Sequence, residues 1–157
     1  MAKVGIDYRN SVVGIIKRKD GKVLITFNKR INSLDKNHID QNSYKFPQGG
    51  IDSNETPKHA IIRELQEELG FDFTNIPITS NLNDYISYWF KNTDKPDFEI
   101  RLFAFLFELE GLNENLLKLD PIEVSEIKWV DPKDIKYLNL SIRHDAYLSI
   151  LRRFNLY

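Results

Sequence analysis

Three features of the sequence predict an α/β fold in which helices flank a mixed sheet: branched apolar runs bounded by turn signals, one strongly capped amphipathic helix, and a second helical stripe near the C-terminus. Val12-Val13-Gly14-Ile15-Ile16 and Val23-Leu24-Ile25-Thr26-Phe27 are β-branched runs joined through Asp20-Gly21, the dipeptide that supplies positive φ to a tight hairpin. From Asn32 to Ser43 the chain turns polar, which predicts a surface loop. Thr56-Pro57 opens a helix: Thr accepts from orphan amides, Pro loses nothing at the first helical position, and Gly70 ends the element. Inside it Ile61, Ile62, Leu65 and Leu69 share one face. Tyr85 to Phe90, Phe98 to Leu109 and Ile127 to Val130 read as strands, the last ended by Asp131-Pro132. A final helix beginning near Ser141 sets Ile142, Ala146, Ile150 and Phe154 on a stripe suited to packing on a sheet.

The 157 residues, 41% hydrophobic and 29% charged, suit a single domain over 1–157 with a sizeable core. No apolar run reaches the roughly 18 residues of a membrane helix, and Met1 to Asp7 holds no signal-peptide core, so a cytoplasmic protein without membrane contact is expected. With no cysteine there is no disulfide frame, thiol nucleophile or thiolate zinc site. His38, His59 and His144 are scattered, so any metal must be held by oxygen. The net charge of −1 argues against non-specific coating of nucleic acid. It conceals a gradient: residues 1–45 carry ten Lys/Arg against four acids, residues 46–100 four against ten, and residues 101–157 eight against nine. A basic third abuts an acidic third.

The acidic third contains the chemistry. Glu64, Glu67 and Glu68 stand at i, i+3 and i+4 and occupy about 100° of the helix circumference beside the apolar face. Like charges at that spacing each cost a helix a few tenths of a kcal/mol, so a cationic partner is expected. Clustered carboxylates suit the hard ions Mg²⁺ or Mn²⁺, which retain waters and bridge to phosphates. Upstream, Phe46-Pro47-Gln48-Gly49-Gly50 reads as a strand end and a tight glycine turn feeding the helix N-terminus.

From residue 49 to residue 71 the chain reads Gly49, five residues, Glu55, seven residues, Arg63-Glu64-Leu65, one residue, Glu67-Glu68, one residue, Gly70-Phe71. This resembles the Nudix hydrolase signature at every fixed position. The resemblance implies an α/β/α sandwich with a mixed β-sheet and hydrolysis of a diphosphate linkage in a nucleoside diphosphate joined to another group. It implies Glu64, Glu67, Glu68 and the Gly49 carbonyl as metal ligands, with Glu64 and Glu68 catalytic and Arg63, with Glu55, fixing the loop–helix–loop. The expected cofactor is Mg²⁺, with Mn²⁺ as the alternative ion.

Asp7-Tyr8-Arg9, the Val-Val-Gly strand and Phe46-Pro47-Gln48-Gly49-Gly50 resemble the branch of RNA pyrophosphohydrolases and dinucleoside polyphosphate hydrolases. By that likeness Arg9, Arg30, Lys45 and Gln48 contact substrate, and Glu123, six residues before Trp129, is an added catalytic and metal-binding carboxylate, with Glu126 its competitor. The expected substrate is the 5′-triphosphate end of RNA. Dinucleoside polyphosphates or other small nucleotides are the alternative, and a non-catalytic nucleotide-binding domain is the third reading, against which the intact glutamates weigh. Ile100-Arg101-Leu102-Phe103 departs from the branch's Gln-Lys/Arg-Trp-Phe, so a base contact is expected to differ, with Tyr44, Tyr88, Trp89, Phe103 and Phe105 as aromatic candidates.

Overall fold

The structure, a computed structural model, describes residues 7–28, 42–91, 97–111, 114–120, 124 and 126–157. Its strands are β1 (Asp7–Arg18), β2 (Val23–Asn28), β3 (Ser43–Lys45), β4 (Gln48–Gly50), β5 (Ile78–Asn81), β6 (Ile86–Phe90), β7 (Phe98–Leu109) and β8 (Glu126–Val130). Its helices are α1 (Pro57–Leu69) and α2 (His144–Arg153). The long strands β1 and β7 run parallel, in unbroken register from Asp7 opposite Phe98 to Arg18 opposite Leu109. Every other pairing is antiparallel, so the sheet is mixed as expected. The outer edge of β1 is shared by β4, opposite Ser11–Val13, and by β2 near Lys17. The outer edge of β7 is likewise shared by β6 and β5.

The expected hairpin is present: Gly21 takes φ +89° and its N–H donates to the Arg18 carbonyl at 2.9 Å. Alternation along β1 then divides the core. Val12 and Ile16 face α1, where Ala60, Ile61, Leu65 and Leu69 are fully buried with Phe73 and Phe107. Val13 and Ile15 face the other way and pack with Ala146, Tyr147, Ile150 and Leu151 of α2. Helices thus cover opposite faces of the sheet, the sandwich that the motif implied. Gly14 lies under α1, where an added Cβ would sit 3.2 Å from Ile61 Cδ1, so its small size sets the helix–sheet approach.

Three differences from the sequence reading have physical causes. The Gln48–Gly50 segment is a strand on β1 and not a glycine turn: neither Gly49 nor Gly50 has positive φ. β3, β4 and β5 escaped the reading because three or four residues are too short to show a period. The last helix starts later than Ser141, because Ser141–Arg143 forms a 3₁₀ turn that delivers the chain into α2 at His144. Most of the loop expected over residues 32–43 lies outside the described residues.

Both ends of α1 are set by local chemistry. The Thr56 hydroxyl accepts from the His59 N–H at 3.2 Å, worth about 1 kcal/mol. Gly70 closes the helix at φ +67°, its N–H donating to the Gln66 carbonyl. The chain returns against this end: the Lys118 N–H donates to the Leu69 carbonyl at 2.7 Å and the Asp120 N–H to the Glu68 carbonyl at 3.0 Å. A Cβ on Gly70 would lie 2.4 Å from the Lys118 carbonyl oxygen. Gly70→Ala therefore combines a strained φ with a backbone clash. It is expected to cost at least about 2 kcal/mol, a fall in Tm of about 4–8 °C by circular dichroism; an unchanged Tm would contradict this account of the helix end.

Candidate active site

The local fold gathers the signature residues around one guanidinium. Arg63, in the second turn of α1, donates through Nε and Nη2 to both oxygens of Glu55, each at 2.8 Å. Nη2 also donates to the Gly50 carbonyl at 2.9 Å, and Nη1 to Glu64 at 2.9 Å and Glu67 at 3.3 Å. One planar fork thereby ties β4, the loop before α1 and the acidic face of the helix. Glu55 is further fixed by accepting the Asp52 N–H at 3.0 Å. The Arg63 guanidinium holds the Glu55 carboxyl down to about 2.

The two glycines of β4 are explained by their neighbours. A Cβ on Gly49 would lie 2.0 Å from the Glu64 carboxyl carbon, and one on Gly50 2.3 Å from an Arg9 terminal nitrogen. The strand carries no side chain at these two positions because a carboxylate and a guanidinium occupy that space.

These groups line a cleft of about 380 Å³. Glu64, Glu67 and Glu68 of α1 line it together with Arg9, Lys45, Gln48 and Arg143, and Ser11, Tyr88, Phe90, Ile100 and Asp120 complete it. The three glutamates are not equivalent. Glu67 is exposed, whereas Glu68 is 4% exposed. Burial pushes the Glu64 carboxyl above the usual carboxylate range, against the opposing pull of Arg63 and Arg9. Among the described residues, no three carboxylate or imidazole groups already converge as a cage for a metal ion.

The basic side is built on a buried polar chain. Gln48 Nε2 donates to the Tyr88 hydroxyl at 2.8 Å, Arg143 Nε donates to the same oxygen at 3.2 Å, and the Tyr147 hydroxyl donates to Gln48 Oε1. Arg143 is only 2% exposed, its guanidinium carbon 5.1 Å from the Tyr88 ring centre. A buried cation beside a polar cleft suits an anionic ligand.

Of the residues expected from sequence, the structure brings Arg9, Lys45, Gln48, Gly49, Glu64, Glu67 and Glu68 into one cleft, with Arg63 beneath it. Arg30 and Glu123 lie outside the described residues. Glu126 opens β8 opposite Phe27, exposed and apart from the cleft lining. Among the aromatic candidates, Tyr88 lines the cleft, Tyr44 packs on Phe27, and Phe105 is buried under α1. Sequence reasoning missed Arg143, Asp120, Ser11 and Phe90. No spacing rule links an arginine before α2 to a tyrosine 55 positions earlier, and Asp120 is brought to the end of α1 by a bond from its N–H to the Glu68 carbonyl.

Comparison with known proteins decides the family: the model of the NUDIX domain matches residues 7–151. The chain belongs to the Nudix family. It is a hydrolase acting on phosphorus-containing anhydrides, and this family generally uses divalent metal ions. The chain is 27% identical to an RNA pyrophosphohydrolase of Zymomonas mobilis over 96% of each chain. It is 31% identical to one of Nitratiruptor over 71% of this chain and 74% of the relative. In fold it is similar to the Nudix hydrolase RenU of M. smegmatis, with a TM-score of 0.65 and 16% identity over 97% of this chain and 87% of that one.

The Arg63–Glu55 tie carries a pH signature. A carboxyl depressed in the folded state contributes stability that is complete above its ordinary value of 4.5 and is lost as pH falls towards about 2. Glu55→Gln is expected to lower Tm near neutrality, with the gap from wild type closing as pH drops through that window. Parallel thermal melts across pH test this; a constant gap would show that Glu55 acts without its charge.

Proposed function

We propose that this Nudix hydrolase removes pyrophosphate from the 5′-triphosphate end of RNA in the cytoplasm, with Mg²⁺ as the working ion. The observation that carries the reading is the mixed lining of the cleft, a space of about 380 Å³ bordered both by the carboxylates of α1 and by Arg9, Lys45 and Arg143. The relatives named RNA pyrophosphohydrolase supply the choice of RNA.

The donor set fits a hard cation: Glu64, Glu67, Glu68 and Asp120 offer only oxygen, and among the described residues no histidine lines the cleft. In this reading Glu64, Glu67, Glu68 and the Gly49 carbonyl hold the ion, joined by Glu123 from outside the described residues. Held there, a divalent ion would neutralise phosphate charge and polarise the scissile linkage. Arg9, Lys45 and Arg143, with Arg30, hold the phosphate oxygens by charge-assisted hydrogen bonds. Gln48 is kept in one orientation by Tyr88 and Tyr147. Water attacks a phosphorus of the chain, one P–O bond forming as the anhydride P–O bond breaks, and its proton passes to Glu64 or Glu68. Arg63 supports both by fixing the helix and the preceding loop, with no contact to substrate.

A substrate panel tests the assignment: triphosphorylated RNA, diadenosine tetraphosphate, nucleoside triphosphates and ADP-ribose, each with Mg²⁺ and with Mn²⁺. The highest kcat/KM is expected for the RNA end; cleavage of diadenosine tetraphosphate without RNA would transfer the activity to the dinucleoside polyphosphate class.

Glu68→Gln is expected to fold and to lose at least about 100-fold in turnover, as measured by phosphate release at saturating Mg²⁺ beside circular dichroism. Near wild-type turnover in a folded variant would remove Glu68 from the chemistry.

Arg9→Ala is expected to reduce kcat/KM on triphosphorylated RNA roughly 10- to 100-fold. A small substrate lacking the contacted phosphate should respond less, and equal losses on both would place Arg9 in the framework instead.

A further inference from the structure

The strands that line the cleft carry a second chemical surface on their reverse side. Because side chains alternate along a strand, Arg9, Ile100, Tyr88 and Phe90 line the cleft, while Tyr8, Glu99, Arg101 and Trp89 point to the face on which α1 packs. Cross-strand register aligns them: Tyr8 lies opposite Glu99, and Glu99 opposite Trp89. The α1 layer covers the far end of this face, over Phe105, Phe107 and Leu109. At the near end Tyr8 is 52% and Tyr85 41% exposed.

Arg101 organises that open end. Its guanidinium carbon is 3.9 Å from the Tyr8 ring centre and 4.8 Å from that of Tyr85, and its Nε donates to Glu99 at 2.6 Å. Glu99 is 6% exposed, so this carboxylate is a fixed anchor. Among the described residues the terminal nitrogens of Arg101 make no hydrogen bond. Tyr85 meets Phe103 edge to face at 6.1 Å, and the Lys91 ammonium sits 5.1 Å above Trp89. Aromatic rings set in an open sheet with cations between them supply stacking faces for bases and donors for phosphates. An acidic peptide would use the cations and leave the rings idle.

We infer that Tyr8, Tyr85, Trp89 and Arg101 form a platform for the single-stranded RNA that trails from the 5′ end held in the cleft. The inference rests on the RNA reading of the cleft. The connection runs over the start of β1, where Asp7–Asn10 are exposed and β4 does not pair. A chain leaving the Arg9 side of β1 reaches the Tyr8 side by passing around that edge. Sequence tolerance is built in, because every base has a stacking face.

The test uses the whole protein as wild type, as Tyr8→Ser/Tyr85→Ser, and as Tyr8→Phe/Tyr85→Phe, which keeps the rings. Binding of a 3′-labelled, 5′-hydroxyl RNA decamer, which lacks the 5′-terminal phosphates that the cleft would hold, is followed by fluorescence anisotropy. Cleavage is compared between a triphosphorylated decamer and a triphosphorylated dinucleotide. The serine variant is expected to bind the decamer about 10-fold more weakly and to raise KM on the long substrate by a similar factor. Its kinetics on the dinucleotide should match wild type, and the phenylalanine variant should restore both measurements. Equal losses on long and short substrates, or decamer binding that ignores the serine substitutions, overturns the platform; so does competition by polyglutamate as effective as that by RNA, which points to an acidic peptide. Failure of the wild type to cleave either RNA overturns the substrate reading instead, and ring-dependent binding of the decamer would then still uphold the platform.

Discussion

The contact between Arg63 and Glu55 is the constraint on which the site depends. A guanidinium offers five donors in one rigid plane, and here they are spent on a loop carboxylate, a strand carbonyl and two helix carboxylates. Three pieces of backbone with little reason to stay together are thereby locked into one body. The same contact answers the repulsion within α1, since the cation sits among the carboxylates that would otherwise repel one another. Lysine could supply the charge and not the geometry.

Close approach is the second theme. β4 carries no side chain at Gly49 or Gly50 because Glu64 and Arg9 lie where one would be, and Gly14 lets Ile61 settle against the sheet. At the far end of α1, Gly70 admits the returning segment, which brings Asp120 beside Glu68. Stability and chemistry compete at this helix. Glu64 is held as a partly desolvated carboxylate, with its protonated form favoured by burial. A site that receives cations and phosphates accepts such a cost so that charge is already concentrated where the ligand arrives.

The parallel pair β1 and β7 gives the molecule its two working surfaces. Period-two alternation in adjacent strands produces a cleft side and a reverse side, and the short α1 covers only part of the reverse side. The Tyr8–Arg101–Tyr85 stack occupies the uncovered end. Cleft and platform are therefore coupled by the register of the same residues.

Where periodicity and chemistry are local, the sequence by itself determined the outcome. The β1–β2 hairpin follows from Asp20-Gly21 between branched runs, α1 from Thr56-Pro57, Gly70 and its apolar stripe, and the family from Gly49 to Phe71. Tertiary structure alone decided what depends on distance through space. Gly49 and Gly50 looked like a turn because a glycine required by a neighbouring side chain cannot be told, in sequence, from one required by positive φ. Arg143 joined the cleft through a bond to Tyr88, and Asp120 through one to the Glu68 carbonyl. The i, i+3, i+4 spacing of Glu64, Glu67 and Glu68 gave no warning that one is exposed and one buried. Burial is a property of what packs over a residue, and that comes from distant parts of the chain.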